Sequence, residues 1–248
     1  MDLIILGSSS AGNCYILDNK NEALVIEAGL PFKKVKAALD YDISRIKGVL
    51  VTHEHGDHAK SAHEYLSNRI DVYASAGTIA GCKKMFDSAY KPTVIKAWDV
   101  IELGGFKIQA FDVQHDAREP FGFIIQHEDM GLTLFATDTY YLKYRFEGLN
   151  NILIECNYRS DILYNNIEKG RLPEKLKNRT LKSHMSYETC LETLQANDLS
   201  QVNNIVLIHL SDGNSNEKEF KEGMEKALCK TVHIANNNMK LKFNKTPF

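Results

Sequence analysis

The first half of the chain contains short apolar runs that end at glycine, asparagine or aspartate. Runs of this length, rich in β-branched residues and closed by turn residues, predict strands. They cover residues 3–6, 14–17, 23–26 and 49–52 and, further along the chain, residues 100–103, 106–111, 121–125, 132–136, 152–154 and 205–208. The spread of these runs predicts a strand-rich core along the whole chain.

Segments with helical periodicity lie between the predicted strands. Pro31 stands at a favourable helix start, and Phe32, Val35 and Leu39 follow at the spacing of one helical face. We predict helices over residues 31–39, 59–66, 161–168, 187–196 and 217–228. Strands with interspersed helices are typical of two sheets packed inside helical layers. We expect an α+β fold with a single domain over residues 1–248, because no repeat or linker divides the chain.

Composition limits the partners and the location. The 248 residues include 30 Lys and Arg against 32 Asp and Glu, so the formal net charge of -2 gives no overall positive field that attracts a polyanion. The five cysteines form no Cys-x-x-Cys pair, which argues against a disulfide framework and favours a reducing, cytoplasmic location. The first residues are too acidic for a secretory signal, and no apolar run approaches about 20 residues, so we expect no membrane insertion.

The densest chemical signal is the segment Thr52-His53-Glu54-His55-Gly56-Asp57-His58, which directly follows an apolar run. It places three histidines and two carboxylates within six residues. If His53 ends a strand and the chain then turns, His53 and His55 can hold one cation, while Asp57 and His58 hold another. Gly56 permits the tight bend between them. The alternative, a polar loop that is rich in histidine by chance, leaves the downstream residues unexplained.

Three later residues share one position, because each ends an apolar strand. His115 follows the run 106–111, Asp138 follows the run 132–136 and His209 follows the run 205–208. A site for two metal ions needs about eight ligand positions, and the first cluster supplies about half of them. Each residue alone would be an ordinary loop residue. Together with the cluster, they predict that distant segments converge at one edge of the sheets.

The pattern His-x-His-x-Asp-His, followed by a later histidine, aspartate and histidine, resembles the metallo-β-lactamase superfamily, specifically its phosphodiesterases. Other motifs resemble the YycJ-like branch of 5′-to-3′ DNA exonucleases. These motifs cover residues 7–15, 115–123, 155–157, 183–186 and 209–211. The two late histidine motifs are also similar to those of ribonuclease Z and of anti-Pycsar-type cyclic-nucleotide phosphodiesterases. The resemblance implies an αββα sandwich, in which two packed mixed β-sheets are flanked by helices.

The resemblance also implies two divalent metal ions. Mixed imidazole and carboxylate ligands suit Zn²⁺, Mn²⁺ or iron rather than Mg²⁺ alone. The implied ligands are His53, His55 and His115 for the first ion, Asp57, His58 and His209 for the second, and Asp138 bridging both.

The implied catalytic residues are Asp57, which is also a ligand, and His184. Because His184 matches no metal position and precedes a predicted helix, we assign it to the phosphate or the leaving oxygen, as a donor or general acid. The alternative for His184 is a structural histidine beside the site. Glu27 stands where the family more often carries aspartate, and its extra methylene is expected to shift a hydrogen bond to a ligand histidine.

A basic run leads directly to His184. It contains Lys169, Arg171, Lys175, Lys177, Arg179 and Lys182, with Glu174 as the single acidic residue. One interpretation is a clamp for phosphates beside the metal ions, and the other is a solvated basic surface. Gly7 to Gly12 lacks the Lys and Ser/Thr of a phosphate-binding loop, so we interpret it as a hairpin turn near the mouth of the site.

The leading hypothesis is a metal-dependent phosphodiesterase whose partner is DNA or a nucleotide. The YycJ-like motifs and the basic run favour a DNA exonuclease, whereas the acidic balance favours a hydrolase of cyclic nucleotides. Processing of tRNA is a minor hypothesis, because residues 138–184 contain no Gly/Pro-rich arm. Hydrolysis of a thioester or lactone would leave His184 without a role. A non-catalytic binding module is disfavoured because all seven ligands are present, and the resemblance makes a homodimer one expected assembly.

Overall fold

The computed structural model describes residues 1–83 and 89–246, and this part of the chain forms two seven-stranded sheets. The strands are β1 Asp2–Gly7, β2 Cys14–Asp18, β3 Ala23–Ile26, β4 Ile46–Leu50, β5 Val72–Ala74, β6 Thr93–Val94, β7 Val100–Leu103, β8 Phe106–Asp112, β9 Phe121–His127, β10 Gly131–Ala136, β11 Leu149–Glu155, β12 Asn204–Ile208, β13 Val232–Ile234 and β14 Met239–Lys242. The helices are α1 Phe32–Ala38, α2 Gly56–Ala59, α3 Ala62–Ser67, α4 Ala76–Gly81, α5 Ser160–Glu168, α6 Glu174–Ser183, α7 Tyr187–Gln195 and α8 Glu217–Leu228.

Both sheets are mixed, with antiparallel strands on one side and parallel strands on the other. The first sheet has the order β14-β1-β2-β3-β4-β5-β6 and becomes parallel from β3 onward. The second has the order β13-β12-β11-β10-β9-β8-β7 and is parallel from β10 to β13. The tight connection between β1 and β2 is the hairpin predicted around Gly7 to Gly12.

The two sheets pack face to face through a core of large apolar side chains. Ile5 and Leu24 from the first sheet are fully buried together with Phe106, Phe123 and Phe135 from the second. Alternate residues of β1 face the other way, toward the cluster that contains residues of α1 and α3. Helices α7 and α8 cover the outer face of the second sheet. Because each sheet is covered on both faces, its strands are apolar almost throughout, and the expected αββα sandwich is confirmed.

The structure differs from the predicted elements near the histidine-rich segment. The helix predicted over residues 59–66 is two short helices, α2 and α3. The amide of Ser61 donates to the carbonyl of Ala28, 2.9 Å away, instead of to an oxygen one turn earlier, and this bond separates the helices. The strand predicted over residues 49–52 begins at Ile46 and ends at Leu50, so Thr52 already lies outside the sheet.

Short elements at the edges of the sheets were not predicted. Strands β5, β6, β13 and β14 have two to four residues each, and such lengths give little periodicity. No helix was predicted in the basic run 169–182, which was interpreted as a phosphate clamp or a solvated basic surface, yet its second half forms α6. Among the described residues, no helix is both long enough and apolar enough to cross a bilayer.

We predict that Gly29→Ala lowers the free energy of unfolding by about 1–3 kcal/mol, because overpacking has this cost. A Cβ atom at Gly29 would lie 1.6 Å from the carbonyl oxygen of Asp57, so the backbones must separate. Urea unfolding measures the change. The control is Gly213→Ala, which has no atom within 4 Å of its new Cβ and should change stability by less than about 0.5 kcal/mol. Equal stability of the two variants would contradict the prediction.

Candidate metal centre

The structure brings all seven predicted ligands together in two groups that share Asp138. Within each group, one ligand atom from each residue lies within 4.8 Å of the others. The first group is His53, His55, His115 and Asp138, and the second is Asp57, His58, Asp138 and His209. All of them lie on segments that follow strands β4, β8, β10 and β12. The positions at strand ends therefore converge, as the sequence predicted.

In the first group, the imidazole nitrogens point to a common centre. Nε2 of His53 is buried and has no hydrogen-bond partner among the described residues. It lies 3.6 Å from Oδ2 of Asp138, and Nε2 of His115 lies 3.4 Å from the same oxygen. Nδ1 of His55 lies 3.2 Å from Nε2 of His115. A buried nitrogen without a partner is costly, so this arrangement fits side chains that face a cation.

The second group surrounds the same carboxylate from the other side. Nε2 of His58 lies 3.3 Å from Oδ2 of Asp57 and 3.4 Å from Oδ2 of Asp138. His209 completes the group, with Nε2 3.5 Å from Asp57 and Nδ1 3.4 Å from Oδ1 of Asp138. Asp138 thus contacts histidines of both groups, and its two oxygens can serve two neighbouring cations.

Outer hydrogen bonds orient the histidines of the first group. The hydroxyl of Thr52 donates to Oε1 of Glu27 over 2.5 Å, so Nδ1 of His53 donates to the hydroxyl oxygen over 2.9 Å. Nδ1 of His115 donates to the carbonyl of Ser183 over 2.7 Å. Both rings therefore keep a lone pair on Nε2, the atom that faces the centre.

Glu27 supports both halves of the histidine cluster. In addition to its bond to Thr52, its Oε1 lies 3.3 Å from Nδ1 of His58. The side chain is fully buried, and its amide donates to the carbonyl of Leu50, which fixes the loop after β3 against β4. The glutamate side chain thus reaches a candidate ligand histidine.

Three site residues have a left-handed backbone although none is glycine. The φ angles are 68° at Glu27, 46° at Asp138 and 55° at His209. Each residue comes within two positions of the end of its strand, β3, β10 or β12. This conformation costs about 1–3 kcal/mol per residue and persists where surrounding contacts hold it. At these positions, it turns the chain sharply, so that side chains at the strand ends meet.

The carboxylates give the centre a strong preference for positive charge. Burial alone would raise the pKa of Asp138, but the imidazoles of His209 and His58 lower it well below its usual value. Burial likewise opposes charge on His58, yet Asp138 and Glu27 raise the pKa of His58 well above its usual value. Protons on these imidazoles balance the carboxylates, and divalent cations can take their place, because metal binding releases protons from its ligands.

Glu155 is a site residue to which the sequence analysis assigned no role. Its Oε1 lies 2.7 Å from Nδ1 of His184 and 3.3 Å from Nδ1 of His209. Its Oε2 accepts from the amides of Thr139 and Met185. The carboxylate thus links His184 to the metal groups and is fixed on both oxygens. A signal was present, because Glu155 ends the apolar strand β11 as the other site residues end theirs.

His184 lies outside these two groups, but its ring nitrogen forms a third group with Asp138, Glu155 and His209, whose ligand atoms also lie within 4.8 Å of one another. Its ring stacks on that of His209 with centroids 5.4 Å apart and an interplanar angle of 18°. Burial would lower the pKa of His184, but the carboxylate of Glu155 outweighs it and raises this pKa. With Nδ1 bonded to Glu155, the nitrogen left for a ligand is Nε2. His184 can therefore present a proton beside the centre.

The basic run has one direct connection to the site. Helix α6 ends at Ser183, the acceptor of the His115 bond. On the same helix, Nε of Arg179 donates to Oδ2 of Asp116 over 2.8 Å, and the other oxygen of Asp116 lies 3.2 Å from Nε2 of His115. Lys177 instead pairs with Glu174 at 3.6 Å. Arg179 is therefore connected to His115 of the first group through Asp116, whereas Lys177 forms an ion pair within its own helix.

Comparison with known families supports this geometry. The model of the β-lactamase superfamily domain matches residues 24–210, which include all seven predicted ligands. The chain belongs to the metallo-β-lactamase superfamily. It is a hydrolase of this superfamily, with His and Asp groups that can hold metal ions.

Two curated relatives match this chain over most of its length. Exodeoxyribonuclease YycJ of Bacillus anthracis is 30% identical over 229 residues, which cover 86% of this chain and 84% of the relative. Exodeoxyribonuclease WalJ of Streptococcus pneumoniae is 31% identical over 232 residues, or 85% of this chain and 82% of the relative. The YycJ-like resemblance in the sequence is confirmed.

Solved structures with low sequence identity share the fold. The metallo-β-lactamase fold protein YhfI of Bacillus subtilis has a TM-score of 0.73 at 13% identity, with 97% of this chain and 99% of YhfI covered. The short form of human tRNase Z has a TM-score of 0.66 at 14% identity, with 98% of this chain and 99% of the other covered. At these identities, the comparison supports the architecture alone.

We predict that Asp138→Ala and His184→Ala separate metal binding from turnover. Removing the shared carboxylate should abolish stoichiometric binding of Zn²⁺ or Mn²⁺, because both groups lose a ligand. His184→Ala should keep the metal content of the wild-type protein and lose activity. Inductively coupled plasma mass spectrometry measures the metal, and circular dichroism checks that each variant is folded. Wild-type metal content in folded Asp138→Ala protein would contradict the assignment of Asp138.

We predict that Glu155→Gln lowers kcat about 10–100-fold, because removing a partner that orients the histidines of a metal site has effects of this size. The amide keeps the size of the side chain but loses the charge that raises the pKa of His184. Steady-state kinetics on a phosphodiester substrate measure kcat. The matched control is Glu147→Gln, at an exposed residue, which should retain the wild-type rate. Equal rates for the two variants would show that Glu155 does not act through His184.

Proposed function

We propose that this protein is a metal-dependent phosphodiesterase that degrades DNA from an end, with 5′-to-3′ polarity. The observation that carries the proposal is the pair of ligand groups that share Asp138, together with the neighbouring His184, which Glu155 orients. Relatives that are named exodeoxyribonucleases, at 30% and 31% identity, support DNA as the substrate.

The proposed ligands are the seven residues predicted from the sequence. His53, His55 and His115 would hold one divalent ion, Asp57, His58 and His209 would hold the other, and Asp138 would serve both. When bound, such cations activate water as a nucleophile near neutral pH and neutralise charge on a phosphoryl group. Thr52 and Ser183 keep the ligand rings oriented by accepting from His53 and His115.

His184 acts in this proposal as a proton donor. Its Nδ1 is bonded to Glu155, and this carboxylate raises the pKa of His184 against the opposing effect of burial, which favours the protonated ring. The proton on Nε2 then goes to the oxygen that leaves when the phosphodiester bond breaks. The stacked ring of His209 limits rotation of His184 and keeps this nitrogen beside the centre.

A local source of positive charge is needed, because the net charge of -2 does not attract DNA. Helix α6 supplies it chiefly with Lys175 and Lys182, because Lys177 pairs with Glu174 and Arg179 pairs with Asp116. Its last residue, Ser183, contacts His115, so the helix lies against the centre. We assign α6 to phosphates of the strand near the scissile bond.

Hydrolysis of 3′,5′-cyclic nucleotides is the second candidate function. A cavity of about 290 Å³ lies directly beside His184 and His209, and its size suits a single nucleotide. The same ligands and the same proton donor would serve either substrate.

Four of the five cysteines are buried and none forms a disulfide, which supports the expected reducing, cytoplasmic location.

We predict that the purified protein with Mn²⁺ or Zn²⁺ releases mononucleotides from linear DNA and leaves cyclic nucleotides intact. The assay compares 5′-labelled DNA, 3′-labelled DNA and 3′,5′-cyclic nucleotides, with the products separated by chromatography. Early loss of the 5′ label as a mononucleotide indicates 5′-to-3′ polarity. Ring opening with intact DNA would replace the proposal with the second candidate.

A control separates the role of His184 from general damage to the site. His184→Ala should lower the DNA rate by about 10²–10⁴-fold, the usual contribution of a general acid. The loss should be much smaller on bis-p-nitrophenyl phosphate, whose leaving group needs no proton. Equal losses on both substrates would contradict a role for His184 in protonating the leaving oxygen.

A further inference from the structure

Asp116 lies on the solvent side of the first ligand group. It directly follows His115, the third histidine of that group. The side chain of Asp116 is 39% exposed, whereas that of Asp138 is 4% exposed. One carboxylate near the first group is therefore enclosed by the protein, and the other remains open to solvent.

The carboxylate of Asp116 is directed at a candidate ligand atom. Its Oδ1 lies 3.2 Å from Nε2 of His115. Nδ1 of the same ring donates to the carbonyl of Ser183 over 2.7 Å, because a carbonyl oxygen can only accept. In the neutral ring, Nε2 carries a lone pair, so no hydrogen bond can join it to Oδ1. Two acceptor atoms at this distance need a positive charge beside them.

A metal ion fits this position better than a proton on His115 does. Nε2 of His115 also lies 3.4 Å from Oδ2 of Asp138 and 3.2 Å from Nδ1 of His55. A proton on Nε2 can point at only one of its three neighbours, because a hydrogen bond prefers a nearly straight angle. A divalent ion can attract the lone pairs of all four atoms together.

The separations also agree with ligands of one ion. Nitrogen and oxygen ligands lie about 2.0–2.2 Å from Zn²⁺, so neighbouring ligands are about 2.8–3.5 Å apart. The distances from Nε2 of His115 to Asp116 and Asp138, 3.2 Å and 3.4 Å, fall in this range. Asp116 lies outside the four-residue group whose ligand atoms are all within 4.8 Å of one another, so its oxygen must move inward to share the ion. Its partial exposure leaves room for this movement.

The second oxygen of Asp116 is oriented by helix α6. Oδ2 accepts from Nε of Arg179 over 2.8 Å. Carboxylates that bind metal ions are themselves hydrogen-bonded in this way. Of the residues of α6, all of which the structure describes, only Thr180 and Ser183 are buried, so polar contacts contribute to holding the helix beside the centre. Asp116 thus connects the basic helix to the first ligand group.

We propose that Asp116 is a further ligand of the first metal ion, on its solvent side, and that it links this ion to helix α6 through Arg179. The inference rests on the metal centre of the proposed function and adds a residue to it. With Asp116, the first ion has two carboxylate ligands, as the second ion has with Asp57 and Asp138. The additional oxygen raises the number of ligands above the four that Zn²⁺ usually takes, and oxygen ligands suit Mn²⁺.

The test measures the metal affinity of the full-length protein after its ions have been removed with a chelator. Isothermal titration calorimetry with Mn²⁺ should resolve two ions in the wild-type protein. In Asp116→Asn, one of the two dissociation constants should rise by at least about tenfold, because the loss of a group that only supports a ligand already has effects of about 10–100-fold. The other constant should stay within about threefold of the wild-type value. Circular dichroism checks that the variant is folded.

Two further variants distinguish a ligand from a structural residue. Asp112→Asn removes a carboxylate that is 38% exposed and pairs with Lys143, outside the ligand groups of the described chain. Both of its constants should equal those of the wild-type protein. Arg179→Gln breaks the bond to Asp116 and leaves the carboxylate in place. Its constants should stay within about threefold of the wild-type values, because exposed ion pairs contribute little.

The outcomes separate the inference from the proposed function. Two unchanged constants in Asp116→Asn would overturn the inference while the metal centre stands. An equal loss of affinity in Asp116→Asn and Arg179→Gln would also overturn it, because Asp116 would then act by holding α6 in place. Wild-type protein that binds no Mn²⁺ would overturn the metal centre of the proposed function, and the inference would fall with it.

Discussion

The site depends on one buried carboxylate, Asp138, which lies between two groups of imidazoles. Without nearby positive charge, burial of an ionised carboxylate would cost several kcal/mol. His58 and His209 supply this charge in the structure, and they hold the pKa of Asp138 well below its usual value. The same attraction favours divalent cations, which can replace the protons of several histidines at once. The contacts of Asp138 therefore determine both the arrangement of the ligands and their chemistry.

Two further buried carboxylates orient the imidazoles through hydrogen bonds and ion pairs. Glu27 does this on the side of the first sheet, through Thr52 and His58, and Glu155 does it on the side of the second, through His184 and His209. Each follows or ends a strand of its own sheet. Each ligand group combines residues that follow strands of both sheets, so the relative position of the two sheets sets the distances within each group. A change in the packing between the sheets would be transmitted directly to the reaction centre.

Much of this arrangement could be predicted from the sequence. Apolar strands followed by a histidine or aspartate predicted which residues converge, because these strands of the two packed sheets end on the same side. The break between α2 and α3 could not be predicted, since it depends on a bond from Ser61 to Ala28, a residue far away in sequence. The role of Glu155 was missed for a related reason. A glutamate at a strand end is common, and its function appears only when His184 lies 2.7 Å away.

The distribution of charge explains how an acidic protein can act on a polyanion. Positive side chains are concentrated on α6, whereas among the described residues no lysine or arginine lines the cavity beside His184. A uniformly basic surface would bind DNA anywhere along its length. In the proposed function, attraction is limited to the stretch of the strand that lies against α6. Local charge beside the candidate metal centre then replaces the overall positive field that this chain lacks.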